Sequence, residues 1–388
     1  MTTHLMTTYA PLDVAFTRGE GAWLWDESGR RILDAISGLA VCGLGHAHPE
    51  VARAIADQAA TLIHTGNLVR VPWQEQLAGR LSAITGLERA FFGNSGAEAV
   101  ECALKITRAL GHERGVKHPG VVVMDNSFHG RTMAALSATG SRKAQAGFEP
   151  LVSGFIRAPF GDAAAVAEIA QRSQEIIAVL VEPIQGESGI RMPPAGYLAE
   201  LRAICDRQGW LLIFDEIQSG LCRSGKWFAH QYEDVVPDML VSAKALANGL
   251  PIGACLASGE AARVLTPGRH GSTFGGNPLV SRTACTVLDI MQNENLAEHA
   301  AETGAYIMQG LRERLAASDR VKEIRGRGLM LGIELADDAN HLKQLALERG
   351  LLINVTKDRV IRLLPPLIID REQADMIIDG VAGLVVEG

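Results

Sequence analysis

The chain is predicted to fold as α/β, with a large domain on a mostly parallel central sheet and a smaller α+β C-terminal domain. Three observations carry this. The runs Val121–Met124, Ile177–Val181, Leu211–Phe214, Met239–Val241 and Ile252–Ala257 are almost continuously apolar, the pattern of strands covered on both faces. Helical patterns such as Glu98–Leu110 and Tyr197–Arg207 separate them, and alternating strand and helix calls for an open sheet with helices on its faces. After Pro278 the texture changes to amphipathic helices followed by short strands.

In chain order, residues 1–49 read as an N-terminal segment packing with the small domain. Within it, Trp23–Asp26 and Arg30–Leu33 are strand-like and split by the turn Glu27-Ser28-Gly29. The large domain is expected over 50–275 and the small one over 276–388. The latter carries helices near Leu279–Asn293 and Leu296–Leu315, strands at Leu329–Leu335, Leu352–Asn354 and Ile361–Leu363, and a last helix near Arg371–Val385.

Composition narrows the function classes. The chain has 388 residues, 47% hydrophobic and 21% charged, with 37 basic and 44 acidic residues for a net charge of −7. That is a core-forming composition without a basic face, so nucleic acid is not an expected partner. Met1 to Phe16 has no secretory pattern, and no apolar run approaches the ~18 residues of a membrane span. The six cysteines show no CxxC spacing and read as small buried hydrophobes in a reducing compartment, the cytoplasm by default.

Five clusters could carry chemistry at strand ends or helix starts, where open α/β sheets bind ligands. Asn94-Ser95-Gly96-Ala97-Glu98 precedes a helix: its small residues and first-turn N–H groups suit a phosphate, and Ser95 with Glu98 equally makes a capping box. Asp215-Glu216 ends an apolar strand; only one of the pair can face a given site. Gly220 to Lys226 nearly spells a phosphate-binding P-loop, the rival nucleotide-triphosphatase reading. Trp227 stands where a hydroxyl must hold Mg²⁺, and the segment follows the Asp-Glu strand too closely. Lys244 follows a buried strand: a desolvated amine is what a Schiff-base nucleophile requires, while a snorkelling surface lysine is the plain alternative. Gly268 to Pro278 sets Ser272 and Thr273 among glycines, either an anion loop or an ordinary surface loop. His46-Ala47-His48 lacks further ligands at metal spacing, so no metal is expected.

In order and spacing these clusters resemble the class III (ornithine-type) aminotransferases, fold-type-I pyridoxal-phosphate enzymes. The resemblance runs from about Tyr9 to the C-terminus. It rests on FFGNSGAEAVECALKITR (91–108), SFHGRT (127–132), VEPIQGESG (181–189), LLIFDEIQSG (211–220), SAKALANGLPIGA (242–254), GSTFGGNP (271–278) and IRLLPP (361–366). It implies pyridoxal 5'-phosphate as cofactor, Lys244 as its covalent anchor and Asp215 as partner of the ring nitrogen. Gln218 would touch the ring oxygen and Phe128 would stack on the ring, while Ser95, Gly96 and Ala97 would hold the phosphate. In a homodimer with shared active sites, Thr273 would reach the phosphate of the neighbouring subunit, with Ser272 near the substrate. Arg131 would clamp the substrate α-carboxylate. Glu187 would cover Arg362 in one half-reaction and release it for 2-oxoglutarate in the other. GLPIGA, TFGGNP and Leu39 resemble the branch acting on the δ-amine of N-acetylornithine; succinylornithine, succinyl-diaminopimelate, free ornithine and 4-aminobutyrate are the other donors of the class. Cys222 and Asn248 depart from the family pattern, standing where glycines are usual.

Overall fold

A computed structural model describes residues 4–387; residues 1–3 and 388, the outer ends of the expected N-terminal segment and small domain, lie outside the described residues. Three sheets organise the chain. The first is formed by β1 (Phe16–Glu20), β2 (Trp23–Asp26) and β3 (Arg31–Asp34). The central sheet comprises β4 (Arg89–Gly93), β5 (Gly120–Met124), β6 (Phe155–Ala158), β7 (Ile176–Val181), β8 (Leu211–Asp215), β9 (Met239–Ser242) and β10 (Gly253–Ala257). Then come β11 (Val321–Arg327), β12 (Met330–Leu335), β13 (Leu351–Leu352), β14 (Asn354–Thr356) and β15 (Val360–Leu363).

The central sheet has the order β4-β10-β9-β8-β7-β5-β6. From β9 to β6 every pairing is parallel, and β10 alone runs antiparallel to its neighbours. The continuous apolar runs are explained by alternation over two covered faces. Val121, Val123, Leu211, Ile213 and Val241 pack with helix Gly96–Glu113 on one face. Val122, Met124, Leu212 and Phe214 pack with helices Ala163–Arg172 and Tyr197–Gln208 on the other. Each such buried side chain contributes roughly 1.5–3 kcal/mol.

β4 and β6 were not legible as strands, because both are partly exposed and carry arginines, so no apolar run marks them. Leu352–Asn354, read as one strand, is two. β13 pairs with β3 in the first sheet and β14 pairs with β15 in the third, and buried Ile353 carries the chain from one to the other.

Between β3 and the first long helix the backbone makes a left-handed turn. Ser37, Gly38, Leu39 and Ala40 all have positive φ, from 44° to 67°. Such a turn costs L-residues about 1–2 kcal/mol each, so something must hold it. Asp34, 1% exposed, accepts from the N–H groups of Ile36 and Ser37 at 2.9 and 2.8 Å on one oxygen, and meets His46 Nε2 at 2.8 Å on the other. The Ser37 hydroxyl donates to Leu364 O at 2.7 Å.

His46 is therefore charged at neutral pH. The hydrogen bond to Asp34, with a lesser one to Cys42, lifts it from 6.5 to about 9 against its burial. A raised histidine contributes stability that is complete below about pH 6.5 and lost as pH rises through about 9. In urea unfolding, the stability difference between wild type and His46→Gln is expected to shrink across that window. A difference unchanged from about pH 6 to about pH 9.5 would refute the pair as the anchor.

Candidate active site

Several loops at the carboxyl ends of the parallel strands converge with one helix start on a cavity of 420 Å³. Ser95, Gly96, Ala97, Phe128, Arg131, Glu187, Asp215, Gln218 and Lys244 all line it. The pair that ends β8 divides as strand geometry requires. Asp215 follows the parity of Ile213 into the cavity, whereas Glu216 turns away to bind Ser219 Oγ at 2.6 Å and the N–H of His230 at 2.8 Å.

Lys244 opens a short 3-10 turn after β9 with φ of 42°, a strained conformation of the kind that persists where surrounding structure fixes it. No hydrogen bond or ion pair engages its amine among the described residues. Burial pushes that amine below the usual lysine range, with Glu187 and Asp215 opposing the shift and Arg362 adding to it.

Asp215 is fixed from two sides: His129 Nδ1 lies 2.7 Å from Oδ2, and the Ile217 N–H donates to Oδ1 at 3.1 Å. His129 is itself held through its N–H to Thr139 Oγ1 at 2.9 Å, and its buried Nε2 has no partner. Beside them Glu182 accepts from the Phe128 N–H at 3.0 Å. Burial, and then the charge of Asp215, raise Glu182 well above the usual carboxylate range, and its carboxyl sets the Phe128 backbone. No role for His129 or Glu182 was read from the sequence. The available signal was their place inside the 127–132 and 181–189 motifs.

At the helix start, Ser95 caps with its hydroxyl accepting from Glu98 N–H at 3.2 Å. The reciprocal half of the box differs from expectation, since the Glu98 carboxylate takes the N–H of Asn94. The first-turn N–H groups of Gly96 and Ala97 have no intrahelical acceptor and remain free for an anion. The cradle is tight: a Cβ on Gly253 would lie 2.0 Å from Ser95 O, and one on Gly96 2.7 Å from Ile217 Cδ1.

Arg362 on β15 is 1% exposed. Glu187 meets its guanidinium at 2.6 Å, and Asn354 accepts from its Nε at 3.1 Å. Gln218 donates to the same Glu187 oxygen at 3.2 Å, and Thr356 Oγ1 donates to Glu187 O at 2.6 Å. Burial alone would raise Glu187, but the charges of Arg362 and Lys244 and the two hydrogen bonds bring it below the usual range. Arg131, by contrast, has no carboxylate partner among the described residues and sits 5.5 Å from the Phe128 ring centre.

Besides Arg362, which meets the cavity only through Glu187, three expected residues stay outside it within one chain. Ser272 and Thr273 line a separate depression, with Ser272 Oγ accepting from Asn94 Nδ2 at 3.1 Å. Leu39 is 37% exposed, and Val41 rather than Leu39 forms the wall, because the left-handed turn rotates Leu39 outward. The two departures are accommodated. Asn248 has φ of 46° and ties the lysine loop to the preceding turn through Leu44 N–H (2.8 Å) and Gly45 O (3.0 Å). Cys222 has φ of 67°, which explains why glycine is usual there. The P-loop-like stretch is no cradle: its Arg223 is 2% exposed and donates to Leu329 O and Pro365 O.

Residues 6–385 match the family described as aminotransferase class-III. The acetylornithine aminotransferase of Nitrosomonas europaea is 52% identical over 382 residues, 98% of this chain and 97% of that one. Acetylornithine aminotransferase 1 of Bordetella pertussis is 50% identical over 97% of this chain and 96% of its own. Among solved structures, the ornithine aminotransferase from Toxoplasma gondii superposes with a TM-score of 0.96 at 34% identity, covering 99% of this chain and 92% of that one. The acetylornithine aminotransferase from Elizabethkingia anophelis gives 0.90 at 34%, covering 99% and 97%.

Proposed function

This chain belongs to the class-III aminotransferases, and on that premise we propose that it moves the δ-amino group of N2-acetyl-L-ornithine to 2-oxoglutarate, giving N-acetyl-L-glutamate 5-semialdehyde and L-glutamate in arginine biosynthesis. The relatives that share half of its sequence over nearly full length support the donor. Pyridoxal 5'-phosphate is the cofactor; when bound it supplies an electrophilic carbon for the amine and a ring that takes up electrons from the broken C–H bond.

The residues fit that group. The free N–H groups of Gly96 and Ala97, with Ser95, would hold the phosphate, and the glycines of the cradle leave the backbone open to it. Asp215, fixed by His129, would face the ring nitrogen, Gln218 the ring oxygen and Phe128 the ring face. Lys244 Nζ would be the anchor and the base that moves a proton, a task suited to an amine that burial has pushed down. Arg131 would clamp the α-carboxylate, and Val41, Leu250 and Ile252 give an apolar wall that tolerates an acetyl methyl.

One observation carries the reading: the buried Arg362, paired with the partly exposed Glu187, beside the unpartnered Lys244. A buried arginine stripped of its partner costs about 3–5 kcal/mol. Arg362 therefore needs a carboxylate at all times, Glu187 while the neutral arm of the donor is present and the distal carboxylate of 2-oxoglutarate afterwards.

We also propose a homodimer with shared sites in the cytoplasm. Ser272 and Thr273 stand outside their own cavity next to exposed Phe274, and the segment tied to their loop through Asn67 Nδ2 to Ser272 O at 3.1 Å exposes Leu62, Ile63, Leu68 and Val69. All six cysteines are unpaired, and no helix among the described residues is long and apolar enough to cross a membrane. Mixing Lys244→Ala chains with Thr273→Ala chains is expected to raise activity above either parent, because each mixed dimer then holds one site with both residues. No rise on mixing would overturn sharing.

The donor is tested by kcat/KM for N-acetylornithine, N-succinylornithine, ornithine and 4-aminobutyrate, with the acetyl compound ahead of the last two by at least about tenfold. In Glu187→Ala the donor half-reaction is expected to fall more than the 2-oxoglutarate half. A lead for ornithine or 4-aminobutyrate would overturn the donor, and equal losses in both halves would reduce Glu187 to a structural role.

A further inference from the structure

We propose that Arg325 is a positioning residue for the Glu187–Arg362 gate. With Gly332 it seats the loop that carries Glu187, so that Glu187 returns to Arg362 whenever no substrate carboxylate is there. This rests on the gate described above and not on which amine is the donor.

Glu187 stands on a short loop whose ends are tied by a two-residue bridge. Gln185 N–H donates to Arg191 O at 3.1 Å, and Arg191 N–H to Gln185 O at 3.0 Å. The Ser188 hydroxyl ties the loop to Asn126 O in the large domain. The rest of its support comes from the third sheet.

The register of that sheet explains the seat. Arg325 of β11 pairs with Gly332 of β12, Gly332 with Arg362 of β15, and Arg362 with Asn354 of β14. Directly opposed residues share a face, so two arginines stand on one face with a glycine between them. Side chains repeat on a face every second residue. The next row is therefore Glu323, Glu334, Val360 and Thr356.

The loop lies across both rows. Arg362 meets the Glu187 carboxylate at 2.6 Å, and the Thr356 hydroxyl donates to Glu187 O at 2.6 Å. Arg325 takes the other end of the loop. Its Nε donates to Gly189 O and Ile190 O, both at 3.0 Å, and its Nη2 to Gly189 O at 2.7 Å. Gly332 lets the loop lie this close: a Cβ there would stand 3.1 Å from Ile190 Cβ and 3.2 Å from Gly189 O. Gly189 is placed as tightly, with φ of 90° and room for no Cβ against Val360 Cγ2 at 2.9 Å.

Arg325 is held for this task. Its side chain is 10% exposed, and Nη1 donates to Glu323 at 2.6 Å and to Glu334 at 2.7 Å. The two carboxylates balance its charge and fix the guanidinium plane, leaving a rigid fork of donors for the loop. Arg325 does not line the 420 Å³ cavity, so it acts on the reaction only through the loop.

The gate is an exchange of carboxylates on Arg362. Gly189 and Ile190 are buried, and carbonyls there that lose their donor must shift to find another. Without Arg325 the loop leaves its seat, and Glu187 covers Arg362 for a smaller fraction of the time. A dicarboxylate that needs Arg362 uncovered then binds tighter in proportion to that fraction. The donor half-reaction, which needs Arg362 covered, falls. A plain loss of structure would weaken both.

The test uses holoenzyme and glutarate, which is 2-oxoglutarate without its reactive keto group. Arg325→Met is expected to bind glutarate about tenfold tighter than wild type, within the usual range of coupling between sites. Arg325→Lys, which keeps a cation and a donor, should lie between the two. Gly332→Ala, which lifts the loop without touching a charge, should shift affinity in the same direction. Adding Arg325→Met to Glu187→Ala should tighten glutarate no further, since no gate is left to position. In single turnovers of Arg325→Met, the donor half-reaction should fall more than the 2-oxoglutarate half. Glutarate affinity that rises in Glu187→Ala but stays at the wild-type value in both Arg325→Met and Gly332→Ala would overturn the proposal. Equal losses in the two half-reactions of Arg325→Met would overturn it as well. Unchanged affinity in Glu187→Ala would overturn the gate itself, and this proposal with it. The glutarate readings hold whichever amine is the donor, so a wrong donor and a wrong role for Arg325 fail separately.

Discussion

A half-buried amine set in the cavity wall without a hydrogen-bond partner is the constraint around which this molecule is arranged. Burying an uncompensated ammonium is costly enough that a protein neutralises or surrounds it. Here Lys244 is held in a strained backbone conformation, with Glu187 and Asp215 near enough to favour its charge and Arg362 near enough to oppose it. Each of those three is fixed in turn by partners from distant elements: Glu187 by Arg362 and Gln218, Asp215 by His129, and Arg362 by Asn354. The parallel sheet brings the segments of Lys244, Asp215, His129 and Glu187 to its carboxyl edge, and β15 of the third sheet sets Arg362 against them.

Much of this was legible in the sequence because it is local. The apolar strands, the carboxylate pair ending β8, the capped helix and the lysine after β9 are each short stretches whose residue types dictate a conformation. The exit of Asp215 to one face and Glu216 to the other follows from strand parity alone. What was not legible depends on contacts between distant segments. His129 meets Asp215 across 86 positions, and Glu182 meets Phe128 across 54. The left-handed turn from Ser37 to Ala40 contains only one glycine, so nothing in its composition announces it; it exists because Asp34 and Leu364 hold it. That turn also explains why Leu39 leaves the cavity wall to Val41.

The same turn shows how the site borrows rigidity. Asn248, four residues past Lys244, bonds the backbone of Leu44 and Gly45. Arg223, from the loop after β8, reaches Leu329, Pro365 and the Ser37 hydroxyl. The burial that lowers this arginine to about 9 is offset by no carboxylate within hydrogen-bonding reach, only by carbonyls, a hydroxyl and the more distant charge of Asp34. The first sheet, the lysine loop and the strand carrying Arg362 are thereby fixed to one another.

The central claim is that Lys244 is the residue to which the cofactor attaches, and borohydride reduction of the purified holoenzyme tests it most directly. The account predicts loss of the visible absorption band, and after proteolysis a single cofactor-modified peptide with the label on Lys244. A label on Lys105 or any other lysine, with Lys244 unmodified, would contradict it.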